Sequence, residues 1–174
     1  MEQARIIYRM RTTLIPLLGI FLLCSMAAVP AVEAGMGRVI TIPPAGFTPD
    51  NTAVSDFYIE ADEPSVYLTL LGSTRGCVHA AVVFPKKAKK IKKVFIFVHD
   101  NSPADDAFFK MMRVDYKAGT ATRLGGIDTA DAPGVVKYEI PISPKKVSSD
   151  YAYEIDGCLD PNIRVYGAQV KYEE

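Results

Sequence analysis

The chain has 174 residues, room for one ordinary domain. Its 20 basic and 20 acidic side chains cancel, which argues against a dedicated nucleic-acid binder, because such domains are strongly basic. An apolar content of 49% excludes a disordered chain, and nine Tyr and eight Phe without any Trp favour pleated, half-buried strands.

Residues 1–34 carry the pattern of a secretory signal segment. Arg5, Arg9 and Arg11 form a basic start, and Leu14 to Val29 then runs without a charge. Val32-Glu33-Ala34 follows, with a small apolar residue at −3 and Ala at −1. The apolar run is about 16 residues, short of the roughly 20 that a membrane span needs. Cleavage is expected after Ala34, or earlier after Ala27 or Ala28. An uncleaved N-terminal anchor is the alternative, and the only route to a membrane in this reading. Cys24 follows Leu22-Leu23 rather than a small residue, so it belongs to the apolar run and not to a lipidation site.

From Gly35 onwards, short apolar alternations are broken by Pro, Gly, Asp and Asn, the spacing of an all-β sandwich or barrel. Residues 35–50 are expected as an extended connector with one short strand, Val39 to Ile42, ended by Pro43-Pro44. Residues 51–174 are expected as the sandwich domain. Val54 to Glu60 and Ser65 to Leu71 are its first strands. Cys77 to Phe84 is nearly continuously apolar and predicts a buried central strand. Six lysines follow between Lys86 and Lys93. Val94, Ile96 and Val98 then share one face of a strand, with Phe95, Phe97 and His99 on the other, so both faces are expected to be covered.

Asp100 to Pro103 reads as a turn. Ala107 to Tyr116 contains helix formers, but the alternation of Phe108, Met112, Val114 and Tyr116 predicts a strand. A hairpin turn at Lys117 to Thr120 leads into Thr120 to Leu124. A polar loop from Gly125 to Pro133 precedes the alternating Val136, Tyr138, Ile140 and Ile142, and Pro144 to Ser149 is a further loop. Tyr151, Tyr153 and Ile155 alternate with Glu154 and Asp156 opposite. Gly157 to Asn162 reads as a loop. Ile163 to Tyr172 closes the chain with Tyr166, Ala168, Val170 and Tyr172 on one face. The expected fold is an antiparallel β-sandwich, jelly-roll-like or Ig-like, of about nine or ten strands.

Several of these segments occur together in a recognisable order: Cys77-Val78 with Val82-Val83-Phe84-Pro85, Ile91 with Val98-His99-Asp100-Asn101, Met112-Arg113-Val114, Tyr151-Ala152-Tyr153 and Arg164-Val165-Tyr166-Gly167-Ala168. The order resembles a loose, largely uncharacterised group of secreted bacterial β-sandwich proteins. The resemblance implies a fold and a compartment, and no activity. The lysine cluster departs from the group's pattern, which has a less charged turn there.

The chemistry-bearing residues are few. His79 and His99 both fall in strands, and a shared metal would require them on facing strands with a third ligand such as Asp100. Asp100, Asn101, Asp105 and Asp106 crowd one loop, a weak calcium candidate without the EF-hand's mid-loop Gly or closing Glu. The lysines Lys86 to Lys93 read either as an anion-binding patch or as a solvated turn that blocks edge-to-edge sheet pairing. No nucleophile, zinc or phosphate-loop motif occurs, so neither an enzyme nor a bound cofactor is expected. Cys77 and Cys158 are the two cysteines left once the signal segment is removed. In an oxidising compartment they are expected to pair, closing a loop of about 80 residues where two ends of the sandwich meet.

The functional expectation is a secreted or periplasmic, non-enzymatic sandwich that binds a glycan or an envelope protein through exposed aromatic side chains. The alternative is a structural subunit that packs through a sheet edge. A secreted hydrolase with a metal-assisted site at Asp100 to Asp106 stands third.

Overall fold

A computed structural model of the chain describes residues 37–50, 57–62, 65–70, 75–100, 102–104 and 106–174. The expected signal segment, Asn101 and Asp105 lie outside the described residues. Gly35–Glu174 is one compact unit. It is all-β, with two antiparallel sheets packed face to face and twelve strands among the described residues.

The strands are β1 (Arg38–Ile42), β2 (Thr48–Pro49), β3 (Phe57–Asp62), β4 (Ser65–Leu70), β5 (Gly76–Ala81) and β6 (Lys90–His99), followed by β7 (Ala107–Asp115), β8 (Thr120–Asp128), β9 (Val135–Ile140), β10 (Lys145–Lys146), β11 (Tyr151–Leu159) and β12 (Arg164–Glu173). The seven-stranded sheet is centred on β6 and β12. β9 and β10 line the outer edge of β6, while β1 and the β3–β4 hairpin flank β12. The five-stranded sheet has the order β2-β5-β11-β7-β8.

Period-two alternation aims one face of each strand into the core. Val94, Ile96 and Val98 of β6 meet Ile155 and Leu159 of β11 and Phe109 and Met111 of β7 in one buried cluster. The outer face of β6 is covered only in part, against the expectation from its sequence: Phe95 is 7% exposed, but Phe97 and His99 are half-buried and Lys93 is exposed.

Several expectations need correction. The connector 37–50 is built into both sheets, because β1 pairs with β12 and β2 with β5 around a short 3-10 turn, Pro44–Gly46. β5 is not buried on both faces. Val78 and Ala80 point inward while His79 and Ala81 are exposed, and the strand ends at Ala81 rather than Phe84. β8 continues through Gly125 and Gly126, which were expected in a loop. There the β9 end comes so close that a Cβ on Gly125 would stand 2.0 Å from the Pro141 carbonyl oxygen. β11 likewise continues through Gly157, whose missing side chain leaves room for the Phe109 ring directly opposite. In β7 the core-facing residues are Ala107, Phe109 and Met111, so the Phe108–Met112 set is the outer one. In β12 a bulge between Val165 and Gly167 interrupts the alternation. Val165, Ala168, Val170 and Tyr172 face inward, and Tyr166 instead packs its ring 5.5 Å from that of Tyr67. Gly167 has a φ of +128° beside the Ile42 carbonyl, a conformation and a proximity that a side chain would oppose.

Candidate functional site

Cys77 and Cys158 form a disulfide with their Cα atoms 4.0 Å apart. They are directly opposed in the β5–β11 ladder, so the bridge staples two neighbouring strands on the outer face of one sheet. It does not join two ends of the sandwich as the sequence had suggested. The short Cα separation is that of a non-hydrogen-bonded antiparallel pair.

The two histidines are kept apart. Inward-pointing Val78 and Ala80 turn His79 to the outside of the five-stranded sheet, and inward-pointing Val98 turns His99 to the outside of the seven-stranded one. They therefore lie on opposite surfaces and share no site.

Of the calcium candidates, Asp100 is 1% exposed and accepts a short hydrogen bond from the Thr129 hydroxyl. Thr129 Oγ1 in turn accepts from the Ala107 N–H at 3.0 Å. The Ser102 N–H approaches the other Asp100 oxygen at 3.5 Å. The Asp106 N–H donates to Asp160 Oδ2 at 3.0 Å, and Asp160 is also paired with Arg75 at 2.9 Å. These contacts tie the loop to strand ends. Among the described residues no group of three or more His, Cys, Asp and Glu is placed to hold a metal.

A cleft of about 590 Å³ opens at one end of the sandwich, within the range usual for ligand sites. One wall is the β5–β6 connection, from Val82 to Ala88, and the other is the segment Val147–Ser149. The walls are fixed by backbone bonds: the Val82 N–H donates to the Tyr153 carbonyl at 2.8 Å and the Val147 N–H to the Lys89 carbonyl at 2.9 Å. Tyr153 is buried, and its hydroxyl accepts from the Ser148 N–H at 3.1 Å. Phe84 meets the Tyr153 ring edge-on at 5.2 Å and the Tyr172 ring at 5.9 Å. The Arg113 guanidinium stacks 4.3 Å from the Tyr151 ring centre. Above this packed base, Val83 is 79% and Tyr116 68% exposed, two large apolar side chains turned to solvent at one cleft. Ser148, Ser149 and Lys86 supply polar groups beside them. Such a mixture of aromatic faces and hydroxyls can stack on a ring and hydrogen-bond to its substituents.

The sequence singled out Tyr116, Tyr151 and Tyr153 as strand residues. It took Val82 to Phe84 as the end of a buried central strand, and no local signal marked them as part of a site.

No family model matches the sequence, and none of the curated proteins is similar to it. Solved structures share its fold. The C-terminal family 6 carbohydrate-binding module of LamC, a marine laminarinase from Zobellia galactanivorans, matches with a TM-score of 0.52 at 12% identity, over 77% of this chain and 99% of that one. The xylan-binding domain CBM22-1 of Xyn10C from Paenibacillus barcinonensis matches with a TM-score of 0.52 at 13% identity, over 78% and 95%. The CBM22-1 and GH10 modules of xylanase 10B from Clostridium thermocellum match with a TM-score of 0.55 at 10% identity, over 80% of this chain and 29% of that one. At these identities the likeness is one of fold: the chain is a β-sandwich of the jelly-roll kind that carbohydrate-binding modules use.

Proposed function

We propose that this domain is a secreted, non-catalytic carbohydrate-binding sandwich whose end cleft receives a sugar ring against Tyr116 and Val83. The observation that carries the reading is the pair of exposed apolar side chains on a pre-formed cleft with hydroxyls beside them, in a fold shared with carbohydrate-binding modules. A small aromatic platform favours a sugar's apolar face, and cleft walls held by backbone hydrogen bonds keep the ordering cost of binding low.

Screening the purified protein on a glycan array, followed by titration calorimetry on the best neutral oligosaccharide, tests this. Tyr116→Ala is expected to weaken binding about fivefold, the loss of roughly 1 kcal/mol of ring contact, with the melting temperature unchanged because the ring is mostly exposed. An array with no retained glycan sinks the reading, and full affinity in Tyr116→Ala moves the site elsewhere.

The proposal includes export through residues 1–34, supported by their signal pattern and by a disulfide that suits an oxidising compartment. The intact mass of exported protein should lack about the first 34 residues, and a full-length chain recovered from membranes would instead indicate an anchor.

A further inference from the structure

The outer face of the seven-stranded sheet carries a second surface, distant in chemistry from the cleft. Across β6, β9, β10 and β12, register and alternation place Lys90, Lys93, Lys137, Lys146, Arg164 and Lys171 on it, against Glu139 and Glu173. The outer face of the other sheet has the reverse bias, with Glu154, Asp156 and Asp128 against Lys110 and Arg123. In a chain whose formal charge is zero, the strands around β6 and β12 thus carry a local excess of basic groups.

At the centre of the basic face three ammonium groups converge on one ring. Lys137 Nζ lies 3.9 Å, Lys171 Nζ 5.5 Å and Lys93 Nζ 6.0 Å from the centre of Phe95. The ring attracts each cation through its quadrupole, which gathers three like charges within about a Debye length of one another. Lys93 is offset by Glu139 at 3.1 Å. Among the described residues neither Lys137 nor Lys171 has a carboxylate partner. Two ammonium groups, oriented by an aromatic ring and without a direct ion-pair partner among the described residues, form a site for an anion.

We propose that this face binds an anionic polysaccharide, its carboxylates or sulfates seated at Lys137 and Lys171 over Phe95 and its chain running on towards Lys90 and Lys146. Side chains on one face of a strand recur about every 7 Å, so the basic groups form rows along a flat sheet, which suits an extended polymer better than a single small ion. The disulfide between Cys77 and Cys158 suits an oxidising compartment, where polysaccharides, rather than nucleic acids or cytoplasmic-leaflet lipids, are the abundant polyanions. The inference rests on the glycan reading only for the class of polymer and uses a different face from the cleft.

The test is calorimetry of the full exported protein and of Lys93→Gln/Lys137→Gln/Lys171→Gln with polygalacturonate, dextran sulfate, a neutral xylo-oligosaccharide, duplex DNA and phosphatidylserine vesicles. The expected result is binding of polygalacturonate or dextran sulfate that weakens steeply with salt. The triple variant should lose about tenfold or more at an unchanged melting temperature. Whichever of the two binds tells carboxylate from sulfate. Lys137→Arg/Lys171→Arg, which keeps the charge, should bind like wild type. Any of three results overturns the inference: neither polymer binds, the triple variant binds as wild type, or DNA or the vesicles bind as tightly as the polysaccharides. A neutral oligosaccharide that binds wild type and triple variant equally leaves the cleft reading intact whatever the polyanions do, so the two failures are separable.

Discussion

Glu154 shows how a single carboxyl reports its surroundings. It lies on the outer face of β11 between Ala81 and Met112, two residues from Asp156. Partial burial and then the Asp156 charge push its carboxyl above the ordinary value, against smaller opposing effects of His79 and Lys110. A group whose pKa is raised by folding contributes stability that is complete below its unfolded pKa and lost as pH rises through its folded one. Glu154→Gln should therefore melt higher than wild type at about pH 7 and lose that advantage at about pH 3.5, where both side chains are neutral. An equal shift at both pH values would trace the effect to packing. Asp115 has the opposite sign. Backbone N–H groups of Ala118 and Lys117 donate to its carboxylate at 2.9 and 2.8 Å and hold its pKa below the ordinary value, so its contribution is lost as pH falls through that depressed value. Gly157 acts through space instead of charge. A Cβ there would stand 2.4 Å from the Phe109 ring, and Gly157→Ala should cost about 1–3 kcal/mol in urea unfolding through overpacking. A change below about 0.5 kcal/mol would mean that the ring moves aside.

At the scale of the strand, alternation carried most of the information. The cores of β6, β9, β11 and β12 are legible in their runs of apolar residues, because one buried face imposes a period of two. What misled was glycine. Gly125, Gly126 and Gly157 read as loop punctuation, yet each is a strand residue whose missing side chain makes room for a neighbour: a carbonyl, the Arg123 guanidinium and the Phe109 ring respectively. Pro141 and Phe109 are distant in sequence from the glycines they crowd and invisible to a local pattern, while Arg123 is only three residues away. The bulge that turns Tyr166 outward is hidden for the same reason. Alternation also leaves open which face is the inner one: in β7 the alternating Phe108, Met112 and Val114 revealed the strand, but Ala107, Phe109 and Met111 face the core. The cysteine pairing was legible from count and compartment, but its place in the middle of a ladder was not. Since that bridge closes an 81-residue separation, replacing both cysteines with alanine should lower stability by about 2–5 kcal/mol, measured by guanidinium unfolding. A loss under about 1 kcal/mol would mean that the ladder holds the two strands without it.

On the scale of the whole molecule, the cleft draws on residues 81–88, 116 and 147–153, and no local feature of the sequence announces that they converge. Its aromatic residues were visible, its shape was not. The lysines show the same division: the run from Lys86 to Lys93 is conspicuous in the sequence, whereas Lys137, Lys146 and Lys171 join it only through sheet pairing. The pairing of β1 with β12 has a mechanical consequence. Arg38 lies opposite Tyr172, and its guanidinium reaches the Glu174 carboxylate at 3.4 Å, so the two ends of the sandwich leave it side by side. A pull applied between those ends would open the β1–β12 ladder one rung at a time, like a zip, beginning at that ion pair.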